Sequence, residues 1–196
     1  MIQVVSNTAM SLDGKIATAQ ASVPFLGSAI DRKRMHQLRD RFDAILVGGN
    51  TFRAWPHPSI GENSTRQKTL NVILSRSLEI VFSKDCFNSD VDWLVLTDNK
   101  NIPSMFPVEV EVCEPQVSAA WILNVLERRG VKNLLLEGGG EILSLFLKEN
   151  LLHEMYVTLC PKIIGGKKAP TLVGGDGFLL NELKKLKLLQ DRKSVV

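Results

Sequence analysis

Short continuous apolar runs alternate along this chain with stretches of helical period. Ile2 to Ala9 reads as a strand, closed by a turn at Asp13-Gly14. Ser28 to Arg39 reads as a helix, with Ser28 as N-cap, Asp31 where a capping-box acid belongs, and Ile30, Met35 and Leu38 as its apolar stripe. Ala44–Val47, Asn71–Leu74 and Asp92–Thr97 are brief buried strands. Val117 to Arg129 predicts a helix with a stripe of Trp121, Leu123, Val125 and Leu126, stopped by Gly130. Asn133–Leu136 predicts a strand, Ile142–Glu149 a helix, and the alternation from His153 to Leu159 another strand. Residues 160–178 predict a long loop, and the tail from Leu180 to Leu189 fits helix or strand. Strands alternating with helices specify an α/β sheet with parallel pairs, in which ligands sit at the carboxyl ends of the strands.

The residues just past each strand therefore carry the functional question. Three strand ends stand out: Gly48-Gly49-Asn50-Thr51, Ser75-Arg76, and Glu137-Gly138-Gly139-Gly140-Glu141. Glycines there let backbone approach a ligand, and free N–H groups at a following helix start attract phosphate. A hydroxyl beside a cation, as in Ser75-Arg76, suits a phosphate monoester. Each has a plainer reading: Gly48-Gly49 as a tight turn, Ser75-Arg76 as a polar loop start. The triple glycine is harder to dismiss, since each costs roughly 0.5–1 kcal/mol relative to Ala in a regular element. Neither GxGxxG after the first strand nor GxxxxGK[ST] is present. Asp13 is a turn residue by default and otherwise a carboxylate aimed at a cleft.

Composition narrows the ligand. The chain has 196 residues, 44% hydrophobic and 23% charged, enough for one full core. A net charge of +3 with scattered Lys and Arg favours a small phosphorylated ligand over nucleic acid. Three well-separated cysteines, Cys86, Cys113 and Cys160, suggest reduced thiols in a cytoplasmic protein, and neither a metal site nor a disulfide framework is expected. No apolar run is long enough for a membrane span, and no signal peptide is expected. His36, His57 and His153 have no nucleophile at a recognisable spacing and read as surface or capping residues.

Four motifs in order, Ala9–Ala17, Asp43–Thr51, Leu136–Gly140 and Ala169–Phe178, resemble the reductase domain of riboflavin biosynthesis, a pyrimidine reductase with a dihydrofolate-reductase-like fold. The resemblance covers about residues 2–178. It implies a three-layer fold around a mixed, mostly parallel sheet, a homodimer joined through the region of His153 to Ile164, and NADPH-dependent reduction of the ribosyl group of a ribosylaminopyrimidine 5′-phosphate to ribityl. It implies further that Ala9 meets the nicotinamide side through its backbone, that Thr51 after Gly48 and Gly49 meets the diphosphate or ribose, and that Ser75 and Arg76 grip the adenosine 2′-phosphate. Gly138, Gly139, Gly140, Glu141 and Ile142 would lie along the diphosphate. Glu137 would contact the substrate and Arg39 its phosphate, with the Phe25 to Ser28 loop lining the pocket and Asp13 or Lys15 shaping the turn beside it. The resemblance names no proton donor.

The chain departs from the family after Thr51. The paired aspartates are replaced by Phe52-Arg-Ala-Trp-Pro-His-Pro-Ser-Ile-Gly61, and Arg53, Arg66 or Lys68 are the candidates to replace a missing phosphate ligand. The deaminase half of many relatives is absent too, so a single reductase domain over 1–196 is expected. Two alternatives remain open: a reductase of this fold acting on another small heterocycle or pterin, and a non-catalytic nucleotide-binding protein.

Overall fold

The computed structural model describes residues 1–20, 26–63, 69–88 and 91–193. Its frame is one seven-stranded sheet. The strands are β1 (Gln3–Ser11), β2 (Ala44–Gly48), β3 (Thr69–Leu74), β4 (Val91–Thr97), β5 (Glu109–Val112), β6 (Asn133–Leu136) and β7 (Glu154–Cys160). Their spatial order is β5-β4-β3-β2-β6-β1-β7, and all six ladders are parallel. Every strand thus delivers its C-terminal tip to the same edge. An isolated antiparallel bridge joins Lys15 to Thr171.

Helices cover both faces. On one, α4 (Ala119–Arg128) and α5 (Gly140–Lys148) pack over Val4, Leu46, Val72, Leu94, Leu134 and Leu136. On the other, α1 (Ala29–Arg39) places Leu38 over Val5, Ile45 and Leu135, while α2 (Gly49–Ala54) and α3 (Lys84–Asn88) bring Phe52 and Cys86 onto Ile73 and Val95. Neighbouring positions in each strand go to opposite layers, so most strands are apolar on both sides, as a parallel sheet requires.

The predicted stripes shift in detail. Ile122 and not Trp121 is fully buried on α4, and Ile30 on α1 is 61% exposed because α1 meets the sheet through Leu38 and through Asp31, whose carboxylate accepts from Thr158 Oγ1 at 2.5 Å. Gly130 has φ +79°, as a helix stop should. The tail forms a 3₁₀ turn at Leu180–Glu182 and then neither helix nor strand through residue 193, leaving Leu183, Leu186, Leu188 and Leu189 exposed. The sequence reading missed α2, α3 and β5. No helix among the described residues is long and apolar enough to cross a membrane.

Phe146 is wholly buried where α5 meets the sheet. Phe146→Ala is expected to lower unfolding stability by about 3–5 kcal/mol in urea titrations, the range for an aromatic deleted from a packed core.

Candidate active site

The site is built around the tip of β6. Leu136 faces the α5 layer, so Glu137 turns to the α1 face. There it meets Arg39 at the end of α1: Nε donates to Oε1 at 2.8 Å and to Oε2 at 3.1 Å, and Nη2 donates to Oε2 at 2.7 Å. Both side chains are nearly covered, at 12% and 8% exposure, so the forked geometry balances two charges largely withdrawn from water. Arg39 Nη1 also donates to the Ile60 carbonyl. Two of the residues expected to bind the substrate, Glu137 and Arg39, are thus brought together, bound to each other.

On the opposite side of the same tip the chain turns into α5. Gly138 and Gly139 have φ of +111° and +86°, values that L side chains rarely adopt. Gly139 is the N-cap and has no side-chain cap, and beside it lies a recess lined by Ser6, Thr8, Ile16, Gly138, Gly139 and Ile142, with Leu143 and Leu172 behind. Ser6 Oγ is buried without a hydrogen-bond partner among the described residues. Thr51 stands against Gly138, where an added Cβ would come within 3.2 Å of Thr51 Oγ1. Ala9 follows Thr8 in β1 and is paired in register with Thr158; it does not line the recess. The signal that could have found Ser6 and Thr8 is the polar run Ser6-Asn7-Thr8 inside an otherwise apolar strand.

Four residues of the predicted site, Asp13, Ser28, Gly140 and Glu141, make contacts within the scaffold. Asp13 accepts from Ser11 Oγ at 2.6 Å, Ile164 N at 3.1 Å and Gly165 N at 2.7 Å, and these hydrogen bonds, led by that from Ser11, hold its pKa near about 2. Its carboxylate anchors the 160–178 segment. Lys15 Nζ adds a bond to Ala169 O. At its far end the segment lies on α5: Gly174 N donates to Gly140 O, and Gly175 N donates to Glu141 Oε1. A Cβ on Gly140 would sit 2.5 Å from Thr171 O. Gly140 and Glu141 therefore hold this strap against the helix. Ser28 Oγ is engaged as the α1 cap, accepting from Asp31 N.

Ser75 and Arg76 follow β3 at the same edge. Ser75 is buried, and Gly49 permits α2 to approach it, since a Cβ there would lie 2.8 Å from Ser75 Oγ. Gly48 is the N-cap of α2, in extended backbone. Arg53 does not reach the β6 tip; it turns toward the 75–79 turn. The 56–63 segment is tied down by Asn71, which accepts from Ser59 N and donates to Ser59 O, and by Asp40, which accepts from Glu62 N and Asn63 N. The histidines make local contacts: His153 Nδ1 accepts from Val4 N, His57 pairs with Asp85, and His36 lies 3.0 Å from Ile60 O. Phe25, Arg66 and Lys68 lie outside the described residues. Among the described residues no cluster of His, Cys, Asp and Glu could hold a metal ion.

The sequence profile of the family described as the RibD C-terminal domain matches residues 3–196. The chain belongs to the RibD C-terminal domain family. A riboflavin biosynthesis protein RibD of Synechocystis is 35% identical over 177 residues, which are 87% of this chain and 48% of that protein. A 2,5-diamino-6-ribosylamino-4(3H)-pyrimidinone 5′-phosphate reductase of Methanothermobacter thermautotrophicus is 32% identical over 189 residues, 89% of this chain and 85% of that protein. Among solved structures, the diaminohydroxyphosphoribosylaminopyrimidine deaminase/5-amino-6-(5-phosphoribosylamino)uracil reductase of Thermotoga maritima superposes with a TM-score of 0.72 at 25% identity, over 89% of this chain and 49% of that one. This RibD C-terminal domain thus spans about half the length of the RibD protein it matches and most of the archaeal reductase. Its fold is the dihydrofolate-reductase-like α/β sandwich, shared with the Saccharomyces cerevisiae riboflavin biosynthesis reductase Rib7 at a TM-score of 0.70.

Two outcomes test the strap. Gly140→Ala should displace it, read as faster proteolysis within 160–178; unchanged cleavage would show that the helix does not hold it. Asp13 is lowered from the ordinary carboxylate range to about 2. Its contribution is therefore complete above roughly pH 4 and lost as pH falls through about 2. Asp13→Asn should be less stable than the parent at neutral pH, with the gap closing toward pH 2; a gap independent of pH would refute the anchoring role.

Proposed function

We propose that this chain is an NADPH-dependent oxidoreductase of riboflavin biosynthesis that reduces the ribosyl group of a ribosylaminopyrimidine 5′-phosphate to ribityl. The observation that carries the reading is the two-sided tip of β6. One side offers an uncapped helix start opened by Gly138 and Gly139, and the other offers the Glu137–Arg39 pair. The names of the Synechocystis and Methanothermobacter relatives support it, the latter because the match runs along most of that reductase.

The residues fit a phosphorylated dinucleotide. Gly138 and Gly139 put no side chain over the strand tip, and among the described residues the buried Ser6 hydroxyl has no hydrogen-bond partner. The amides at the start of α5 would hold the diphosphate, and Ser75 would contact the 2′-phosphate that distinguishes NADPH. When bound, the reduced nicotinamide supplies a hydride to C1′ of the ring-opened sugar, whose C1′=N bond becomes single as the nitrogen takes a proton. The protein's part is placement: β1 and α5 bound the cofactor recess, and Arg39 fixes the Glu137 carboxylate for donors on the substrate. Homodimerisation through the uncovered edge strand β7 is part of the proposal, supported by the exposed Val157, Leu159 and Ile163, and so is a cytoplasmic location.

Purified protein should oxidise NADPH in the presence of the diamino or the deaminated phosphoribosylaminopyrimidine. Binding of NADPH without turnover on either would reject this substrate class and favour another heterocycle. Glu137→Gln should cut kcat/KM on the pyrimidine at least about tenfold, in line with loss of a charged hydrogen bond. NADPH affinity should stay within about twofold, and full activity in that variant would remove Glu137 from the site.

A further inference from the structure

The residues after β3 raise a question of charge. Arg76, the cation expected to read the 2′-phosphate, is 75% exposed and lies 3.5 Å from the Asp98 carboxylate at the tip of neighbouring β4. A carboxylate at that distance takes up part of the charge the guanidinium offers an incoming anion, and Asp98 itself is 19% exposed.

A second guanidinium stands on the other flank of Ser75. Arg53, in the last turn of α2, donates from Nη1 to Ser77 Oγ at 3.3 Å and to the Glu79 carbonyl at 3.1 Å, and from Nη2 to Asn50 Oδ1. These partners are all neutral, no ion pair with a carboxylate forms among the described residues, and Arg53 is exposed. Its position follows from local structure. Gly49 lets α2 close onto Ser75, and the Cβ that Gly49 lacks would lie 3.4 Å from Arg53 Nη1 as well as 2.8 Å from Ser75 Oγ. The turn it grips is constrained from below: Leu78 is buried with φ +56°, a value that costs a branched side chain energy and is kept only where surrounding packing enforces it. Ser75, Ser77 and Arg53 thus form one preorganised patch of two hydroxyls and an uncompensated cation.

We propose that Arg53, and not Arg76, is the principal determinant of selectivity for a cofactor bearing a 2′-phosphate. The inference rests on the proposed use of a nicotinamide dinucleotide and assigns Arg76 a lesser part, its charge being shared with Asp98.

Calorimetric titration with adenosine 2′,5′-bisphosphate and with AMP tests it without turnover. The parent should prefer the bisphosphate. Arg53→Gln should weaken the bisphosphate by about tenfold or more, as for a lost charged contact, and leave AMP within about twofold. Arg76→Gln should lose less, and Arg53→Lys should recover part of the selectivity by restoring charge without the fork. Arg53→Gln would also loosen the 75–79 turn, so Arg53→Ala is run beside Arg53→Lys: both remove the guanidinium fork, and recovery of the ratio in the lysine variant alone assigns the effect to charge. An unchanged ratio in Arg53→Gln, a larger loss in Arg76→Gln, or a parent that does not discriminate would each overturn the assignment. The reductase reading fails separately: a parent that prefers the bisphosphate but oxidises no NADPH with either pyrimidine keeps Arg53 as the determinant and loses the reaction.

Discussion

The architecture depends on one sharp change of direction. Between the last paired residue of β6, Leu136, and the first turn of α5 the chain has only Glu137, Gly138 and Gly139. The two glycines take positive φ, conformations that side chains resist, and this allows the helix to start almost on top of the strand. Because β6 lies inside the sheet, between the central strand β2 and β1, the reversal falls close to the centre of the C-terminal edge. Glu137 is forced to one face and the open helix start to the other. A longer connection would separate the two, and the carboxylate and the helix start would no longer share a strand tip.

Electrostatics then sort the carboxylates by task. Glu137 is nearly covered and satisfied by a forked guanidinium. Asp13 is exposed, yet three donors hold it ionised to unusually low pH, so it serves as a fixed anchor. Glu141 accepts a backbone N–H from the strap, and Asp98 tempers Arg76. Residues that look alike in sequence differ in function because the donors around them differ.

The strands and longer helices were legible because apolar runs and helical stripes are intrinsic to the chain: Ala44–Val47, Asn133–Leu136 and the segment closing at Gly130 all lie where periodicity puts them. What stayed hidden depended on tertiary contacts. The six-residue α2 opens on Gly-Asn-Thr, a weak helix former, and is held by the burial of Phe52. Strand β5 is an edge of four residues between prolines. Glu137, the glycines and Ser75 could be picked out because such residues are unusual at strand ends. The engagement of Asp13, Gly140 and Glu141 by the 160–178 segment could not, since their partners lie up to 152 residues away in sequence. The orientation of Arg53 was equally out of reach, because it follows from the closeness of α2 to Ser75.

The two sides of the sheet also differ in how their apolar residues connect. Beneath α4 and α5 the buried residues form one continuous cluster reaching from Val4 to Leu96. Beneath α1 and α2 they fall into two smaller groups, one around Leu38 and the other around Phe52, with Arg39 at the end of the helix that supplies Leu38. A continuous cluster resists local opening, whereas separate small ones yield independently. The molecule therefore has a stiff keel on one side and two independently seated flaps on the other, and Glu137 at the β6 tip is clasped by the flap that carries Arg39.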